Sequence, residues 1–435
     1  MKGNLMYDTT VFSRRTAAAL AASFKACLER AVAEPRVSVD SLDRHILAAR
    51  AESSVPRCLA LPLEAAQSAV ERLCDVSGGV TASVRLPPLG HAWRFLEQAV
   101  ATEAAAAGTV VASSGGSRAM IRDVGDNAVM SYADLEQQAR ALATLLRRAA
   151  LVVGSNGAHP RVSVLGPNGS GILAIHFAAA LVGGIVGNHN THLVAPELAY
   201  QLERFEPHAI AIVGRSDSLN ALADAALALV KRHLHFIDIS GGPEAFIGIS
   251  GTSLDIIDGF SPQDPYMLYF TSGTSGKPKG VMLTQDIVCR HAVGTTSEMR
   301  LHSEDVWLHA APMFHLVDAF AIYAITAAAG QHVLQPSFEA AATLRVIERE
   351  GVTVMNMAST MVALMCASPT LGLMDLSSLR LVSCGGSPLA AAVVKRAIGA
   401  FGCEFFVSYG MTECCGKISM SLLESAQRDN EHGVG

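Results

Sequence analysis

The sequence lacks the marks of a secreted, disulfide-bonded or nucleic-acid-binding protein. Its nine cysteines are scattered without a CxxC pair, and the adjacent Cys414 and Cys415 cannot easily bond each other. This pattern predicts free thiols in a reducing compartment, so we expect a cytoplasmic protein. No apolar signal core follows Met1. The formal net charge of −6 argues against a general nucleic-acid surface.

Charged residues are also scarce, at 17% of the chain, whereas half of the 435 residues are hydrophobic. A chain of this kind should fold as two or three units of domain size with a large buried core. The two longest apolar stretches are 172–187, which contains His176, and 310–330, which contains His315 and Asp318. We therefore predict that both stretches belong to a buried core and that the chain has no transmembrane segment.

The common phosphate loop with its Gly-Lys-Ser/Thr ending is absent as well. A different loop is present at residues 269–280, where three glycines, four Ser/Thr hydroxyls and two lysines occur together. Glycines let backbone N–H groups approach phosphate oxygens, hydroxyls donate hydrogen bonds, and lysines add positive charge. Apolar runs at 267–270 and 281–283 predict a strand on each side. An ordinary surface turn is the alternative, but turns rarely need so many hydroxyls and lysines.

Strand and helix signals alternate regularly from about residue 86 to residue 408. Residues 131–134 form a capping-box pattern ahead of an apolar helix. Residues 161–165 predict a buried strand, and a turn at 166–169 leads into a helix that ends at Leu181. Residues 195–205 predict a further helix. This alternation, without an internal repeat, predicts an α/β fold with largely parallel sheets.

Three further motifs contain residue types suited to ligand binding. Residues 408–413, Ser-Tyr-Gly-Met-Thr-Glu, follow an apolar strand at 404–407. Residues 383–389, Ser-Cys-Gly-Gly-Ser-Pro-Leu, also follow a predicted strand. The third motif is Ala-Pro-Met-Phe-His at 311–315. Ligands gather at the ends of strands in open α/β sheets, so we expect a binding site there.

With these four motifs the chain resembles the adenylate-forming (AMP-binding) superfamily, from about residue 86 to residue 435. The superfamily includes acyl- and aryl-CoA synthetases, firefly-type luciferases and the adenylation domains of peptide synthetases. Residues 183–202 look closer to coumarate-CoA ligases and luciferases. The resemblance implies the large N-terminal domain of that family, an α/β fold with stacked, mostly parallel sheets flanked by helices.

The resemblance also implies a reaction. A small carboxylic acid would attack the α-phosphate of ATP, giving an acyl-adenylate and pyrophosphate, with Mg²⁺ as cofactor. The thiol of CoA, or of a carrier protein's pantetheine, would then take the acyl group. Because negative charge builds on the phosphate oxygens during the attack, hydrogen-bond donors, lysines and Mg²⁺ must meet it.

Residues of each motif acquire roles from the resemblance. Those that would grip the ATP phosphates are Thr271, Ser272, Gly273, Thr274, Ser275 and Lys279. Glu413 would hold Mg²⁺ through its oxygens, and Thr412 would contact the phosphate region, so that Lys279, Thr412 and Glu413 form the catalytic set. Tyr409 would lie against adenine, Gly386 would line the adenine pocket, and His315 would lie at the acyl pocket.

Simpler interpretations stay open for several of these residues. Glu413 could be a solvated loop carboxylate, Tyr409 a core aromatic residue and His315 a packed core histidine. Lys277 could be a solvated loop charge. We expect His309 and the adjacent cysteine pair to be structural, because neither shows the pattern of a nucleophile beside a base.

The chain departs from the family pattern at a few positions. Val407 and Ser408 stand where many relatives have a Gln or Asn and then a Gly, which could weaken contact with the nucleotide. Asp318 is unusual for an apolar acyl pocket. Amino-acid adenylation domains use an Asp to pair with the substrate amine, but Asp318 lies later in the chain than theirs does. An amine-bearing acid is therefore the less favoured alternative.

The domain organisation also follows from the resemblance. Residues 1–85 would be an N-terminal extension, in which Leu20, Phe24, Leu28 and Val32 recur at helical spacing. Its first half resembles the end of a condensation domain, which would make synthetase modules or a carrier domain partners; an ordinary amphipathic helix is the alternative.

Residues 86–435 would be the AMP-binding domain. They stop before the family's ribose-binding Asp, its hinge and its small C-terminal domain. We expect weak activity from this chain alone, with a nucleotide-binding or interaction module without catalysis as the alternative.

Overall fold

The computed structural model describes residues 91–109, 120–152, 159–214, 216–230, 234–239, 261–271, 277–387 and 390–423. The helix predicted near Leu20 and the domain boundary predicted near residue 85 lie outside these residues. So do Ser272, Gly273, Thr274 and Ser275 of the phosphate loop. The predictions made for these parts of the chain stay predictions.

Helices and strands alternate through the described residues. The α-helices are α1 (Trp93–Thr109), α2 (Tyr132–Val152), α3 (Ser170–Leu181), α4 (Ala195–Phe205), α5 (Asp217–Leu229), α6 (Gln285–Glu298), α7 (Leu316–Ala319), α8 (Ala321–Ala327), α9 (Ala340–Glu350), α10 (Ser359–Ala367) and α11 (Ala391–Phe401). The strands are β1 (Ile121–Asp123), β2 (Val129–Met130), β3 (Arg161–Leu165), β4 (Ile185–His189), β5 (Ala209–Ile212), β6 (His235–Asp238), β7 (Pro265–Thr271), β8 (Lys279–Thr284), β9 (Val306–His309), β10 (Gln331–Leu334), β11 (Val354–Ala358), β12 (Leu381–Gly385), β13 (Glu404–Met411) and β14 (Gly416–Leu423).

The described strands form two sheets. An eight-stranded sheet has the order β14-β13-β12-β11-β9-β10-β1-β2, and a six-stranded sheet has the order β6-β5-β3-β4-β7-β8. Only the edge strands β2, β14 and β8 run antiparallel to their neighbours; the other described pairings are parallel. The expected α/β fold with stacked, mostly parallel sheets and flanking helices is therefore confirmed.

Helix α3 lies between the two sheets and is buried along its whole length. It contacts β3 and β4 of the six-stranded sheet on one side and β1 of the eight-stranded sheet on the other. Its residues are apolar around the full circumference, apart from His176 and the first serine, which is the pattern of a helix with no solvent face. The layer of α3, α6 and α8 joins the sheets into one apolar core.

The apolar stretch that forms α3 and β4 and the one that contains α7 and α8 are both buried, as predicted. Among the described residues, no helix is long and apolar enough to cross a membrane. The two stretches gain their hydrophobic stabilisation from packing between and against sheets.

Local signals set several element boundaries. The predicted β3, α3 and α4 agree with the observed bounds. Helix α2 begins after a reciprocal cap: the Ser131 Oγ accepts the Asp134 N–H at 3.0 Å, and the Asp134 carboxylate accepts the Ser131 N–H at 2.9 Å. This pair satisfies two donors that the first helical turn would otherwise leave open.

A group of four uncharged polar side chains is buried between the sheets; we call His176, Asn188, Tyr266 and Tyr323 the neutral cluster. The His176 Nε2–H donates to the Asn188 Oδ1 at 3.2 Å, so the Nδ1 accepts the Tyr323 hydroxyl at 2.7 Å. The Tyr266 hydroxyl lies 2.8 Å from both the Tyr323 hydroxyl and the His176 carbonyl oxygen. Burial lowers the pKa of His176 to about 4, so its ring is neutral at neutral pH.

Candidate functional site

A cavity of about 380 Å³ opens where the carboxyl ends of β11, β12 and β13 meet. Such a volume suits a small-molecule ligand. Its lining contains residues from three of the sequence motifs, together with residues of α7, β11 and β14 and the Phe320 that follows α7: Pro312, His315, Leu316, Val317, Phe320, Asn356, Ala358, Gly385, Gly386, Ser387, Ser408, Gly410, Met411, Thr412, Gly416 and Lys417. The structure thus brings together the predicted site residues His315, Gly386 and Thr412.

Gly386 lies at the rim of the cavity, directly after the last residue of β12. Its φ of +85° falls in the region that side-chain-bearing residues rarely adopt. The backbone can therefore turn at the strand end and leave the rim open, which is the geometry that a flat ring needs to approach a peptide plane.

The phosphate loop connects β7 and β8, which pair in an antiparallel hairpin, as the flanking apolar runs predicted. Thr271 ends β7, and its hydroxyl donates to the Lys279 carbonyl oxygen at 3.4 Å. The Lys279 side chain is exposed at the start of β8. The Lys277 Nζ lies 5.9 Å from the ring centroid of Tyr200 on α4. The Tyr200 hydroxyl donates to the Pro278 carbonyl oxygen, so α4 contacts the end of the loop that leads into β8.

Strand β8 lies against the 3₁₀ turn Thr412–Cys414. This contact brings the phosphate-loop hairpin of the six-stranded sheet to the turn that carries the exposed Glu413. No group of three His, Cys, Asp or Glu side chains arranged for a metal occurs among the described residues. A single carboxylate with a neighbouring hydroxyl nevertheless suits Mg²⁺, which keeps most of its waters and uses phosphate oxygens as ligands.

Tyr409 lies on β13 and is 63% exposed, so it is not a core aromatic residue. Its ring is available to a ligand, although the residue itself does not line the cavity. Strand β13 continues beyond the predicted end at Val407 as far as Met411, because β14 pairs with it from Phe405 to Met411.

The two departures from the family pattern, Val407 and Ser408, have different surroundings. Val407 packs against the apolar cluster of the eight-stranded sheet. The Ser408 hydroxyl donates to the Cys384 carbonyl oxygen at 3.2 Å. A Cβ at Gly385 would lie 2.3 Å from the Ser408 Oγ and 2.9 Å from its carbonyl oxygen, so residue 385 has no room for a side chain.

His315 precedes α7 and is exposed towards the cavity, so it is not a packed core histidine. The cavity walls partly desolvate its ring, and this lowers its pKa below the ordinary value. A neutral imidazole at the cavity wall can both donate and accept a hydrogen bond.

Asp318 does not line the cavity but lies fully buried behind it. Its Oδ1 accepts the Trp307 indole N–H at 3.1 Å, and its Oδ2 lies 2.9 Å from the His309 Nδ1. His309 in turn contacts His332 at 3.0 Å, with the two rings stacked. We call Trp307, His309, Asp318 and His332 the charged cluster. With both carboxylate oxygens engaged, Asp318 is not placed to pair with a substrate amine.

Lys417 is a cavity residue that the sequence motifs did not reveal. It lies on β14, and its Nζ donates to the Asn356 Oδ1 at 2.6 Å and sits 4.1 Å from the ring centroid of Phe320. Burial lowers its pKa to about 7, against a rise caused by Asp318 and Cys384. The only sequence signal is a single lysine between Gly416 and the alternating residues of an edge strand.

Comparison with known proteins adds the family context. A family model described as AMP-binding enzyme matches residues 109–435. The chain is 31% identical over 315 residues to a feruloyl-CoA synthase from an Amycolatopsis species, covering 70% of this chain and 59% of that protein. It is also 31% identical over 320 residues to 4-coumarate--CoA ligase 1 from Oryza sativa subsp. japonica, covering 70% and 56%. The chain thus spans about three fifths of the length of these relatives.

Among solved structures, the inhibitor-bound N-terminal domain of FACL13 from Mycobacterium tuberculosis superposes with a TM-score of 0.66. The match has 22% sequence identity and covers 78% of this chain and 81% of that domain. At this identity the likeness concerns the fold, and it agrees with the two-sheet architecture described above.

Proposed function

Because the chain belongs to the AMP-binding enzyme family, we propose that it binds ATP and a carboxylic acid and joins them as an acyl-adenylate. The observation that carries the proposal is the meeting of β8, which leaves the phosphate loop, with the turn of Thr412 and Glu413 at the rim of the cavity. The elements to which we assign phosphate binding and acid binding would therefore act at one edge.

In the proposed reaction, an oxygen of the acid's carboxylate forms a bond to the α-phosphorus of ATP, and the bond from that phosphorus to the pyrophosphate oxygen breaks. Lys279 and the loop hydroxyls, including that of Thr271, stabilise the charge on the leaving pyrophosphate. Thr412 donates to the phosphate region from the cavity rim. The mechanism therefore uses positioned donors rather than a covalent intermediate with the protein.

The remaining predicted residues would hold the reactants. Gly386 would let the adenine approach the backbone, and the exposed ring of Tyr409 would stack on it. His315 would orient the acid's carboxylate from the cavity wall. Glu413 would hold Mg²⁺, which supplies positive charge to the phosphate oxygens when it is bound.

CoA is the acceptor that the names of the relatives suggest for those proteins, and we propose it here for the second step. The pantetheine thiol of a carrier protein is the alternative acceptor. Supplying each thiol to the protein with ATP and acid, and detecting the thioester by mass spectrometry, separates them.

The first step can be tested by pyrophosphate exchange with a panel of carboxylic acids, alongside ATP binding measured by calorimetry. Glu413→Gln should lower exchange on the order of 100-fold or more at fixed Mg²⁺. The matched control is Glu298→Gln, an exposed carboxylate at the end of α6. Unchanged exchange in Glu413→Gln would refute its role. ATP binding without exchange for any acid would favour a nucleotide-binding module without catalysis.

A further inference from the structure

The side-chain amine of Lys417 lies at the floor of the cavity, and its protein neighbours do not accept hydrogen bonds from all of its N–H groups. A lysine ammonium has three donors, and the Lys417 Nζ makes one hydrogen bond, to the Asn356 Oδ1, among the described residues. The face of the Phe320 ring covers it on another side. A desolvated donor without a partner is costly, so the two remaining N–H groups favour a ligand that accepts from them.

The amine lies deeper than the motifs at the cavity rim. Ala358 and Gly385 are the paired last residues of β11 and β12, and Gly386 follows at the rim. Asn356, the partner of Lys417, comes two residues earlier in β11. At the rise of an extended strand this is about 7 Å below the rim. A benzene ring bridges such a distance between two para substituents.

The walls between rim and floor are mostly apolar. Leu316, Val317 and Phe320 line one side, and Ala358 lines the other. A short apolar body would fit there, with one polar group at each end. The ligand chemistry that matches the cavity is therefore an acid with a compact ring or chain and a second acceptor at the far end.

We propose that Lys417 binds a second carboxylate of the substrate, so that the protein prefers short dicarboxylic acids. The inference rests on the proposed adenylation, because one carboxylate must face the nucleotide at the rim while the other reaches the floor. Lys417 then determines specificity by pairing with the group that does not react.

The titratable groups around Lys417 are either neutral or bonded to other residues, so its charge can pair with a ligand. His291 on α6 accepts the Lys417 backbone N–H at 3.0 Å, and burial lowers the His291 pKa to about 4, so the ring is neutral. Burial raises the pKa of the Cys384 thiol on β12. Asp318 on α7 is engaged with Trp307 and His309.

Proton uptake by Lys417 on ligand binding distinguishes a direct contact with the ligand from a purely structural role of the lysine. With a pKa of about 7 in the free cavity, the amine is about half protonated at pH 7, and a bound carboxylate favours the ammonium. Binding of a dicarboxylic acid at pH 7 should therefore take up about half a proton. Calorimetry in two buffers of different ionisation enthalpy measures this uptake.

The experiment compares terephthalate with its neutral-tailed counterpart 4-methylbenzoate, by calorimetry on the full chain and by pyrophosphate exchange. We expect terephthalate to bind about 10- to 100-fold more tightly, the effect of one charge-assisted hydrogen-bonded contact. Lys417→Met should abolish both this preference and the proton uptake. Lys395→Met removes an exposed lysine on α11 and should preserve both.

Asn356→Asp is a second variant, which keeps the lysine. It tests whether Lys417 determines the preference for terephthalate if Lys417→Met does not fold. The new carboxylate would pair with the Lys417 Nζ and abolish the preference for terephthalate. Equal affinity for the two acids, or a preference that survives in both variants, would overturn the inference.

Exchange measurements separate the inference from the proposed function. Lysine-dependent binding of terephthalate without exchange for any acid would support the inference and refute adenylation. Equal exchange with both acids, unchanged in Lys417→Met, would support adenylation and overturn the inference.

Discussion

The neutral cluster and the charged cluster are both buried polar groups, and helix α8 contributes to the contacts of both. Its Tyr323 bonds His176 in the neutral cluster, and its Thr326 lies 3.0 Å from the Nε2 of His332 in the charged cluster. The neutral cluster contains no carboxylate, whereas the charged cluster contains Asp318. The same residue type, histidine, is thus placed beside neutral partners in one group and beside a carboxylate in the other.

The hydrogen bonds that begin at the Asp318 carboxylate need more protons than the neutral side chains supply. The Thr326 hydroxyl also bonds the Ile322 carbonyl oxygen, so Asp318, His309, His332, Thr326 and this oxygen form a row of four contacts. Two neutral imidazoles and one hydroxyl supply only three protons for the four contacts. All four can be made at once if one ring carries an extra proton.

Burial and the neighbouring His309 hold the pKa of His332 well below its ordinary value. Of the two rings, His309 is the one that contacts the Asp318 carboxylate. The neutral cluster can be perturbed by the loss of a hydrogen bond, but the charged cluster can also be left with an unpaired buried charge.

Removing the carboxylate should produce the largest effect. Asp318→Asn keeps the shape of the side chain but removes the buried carboxylate that would balance an extra proton in the row of contacts, so we expect a loss of about 3–5 kcal/mol in the free energy of unfolding. Urea unfolding followed by circular dichroism measures it. Asp224→Asn, an exposed position on α5, is the control. A loss below about 1 kcal/mol would show that no ion pair is present and that the two clusters do not differ in charge.

Acid should act on the neutral cluster by a different route. The folded state lowers the pKa of His176 to about 4, so between pH 6.5 and 4 the unfolded chain binds a proton that the folded chain does not. The stabilisation is present above pH 6.5 and falls as the pH decreases, by about 2 kcal/mol at pH 5. His189, whose pKa burial also lowers to about 4, adds a similar loss.

The contribution of His176 can be isolated by mutation. In His176→Asn the difference in unfolding free energy between pH 7 and pH 5 should shrink by about 2 kcal/mol relative to the parent. The exposed His192→Gln serves as the control and should keep the parental difference. An unchanged pH dependence in His176→Asn would mean that the ring is not held neutral.

The smallest effects should come from the two hydroxyls of α8, and they form a matched pair. Tyr323→Phe removes the donor to His176, and Thr326→Val removes the contact to His332. Each should lower the free energy of unfolding by about 1 kcal/mol. A loss in Thr326→Val as large as that in Asp318→Asn would mean that the threonine contact is essential to the ion pair.

The sequence predicted the parts of the fold that depend on neighbouring residues. The turn at 166–169 and the apolar run after it defined α3, and the capping pattern at Ser131 defined the start of α2. Strand β13 was predicted too short, because its second half is extended only through pairing with β14. No local pattern in Ser408–Met411 signals that pairing.

The motifs identified the cavity rim but not its floor. Gly386 and Thr412 belong to short motifs that can be read along the chain. Lys417 acquires its setting from Asn356, which is 61 residues away and reaches it only through the order of strands in the sheet. The sequence marked Asp318 as unusual for an apolar pocket. It could not predict the contacts of Asp318 with His309 and Trp307, because these form only when α7 packs against β9.

The close approach of Gly385 and Ser408 restricts how this protein could have evolved and how it can be redesigned. A side chain at 385 is excluded whichever residue stands at 408, because its Cβ would lie 2.9 Å from the carbonyl oxygen of residue 408 as well as 2.3 Å from the Ser408 Oγ. Glycine must therefore be retained at 385 even where the hydroxyl at 408 is removed. A library that varies 385 and 408 together should therefore return viable variants only with glycine at 385, whichever residue stands at 408.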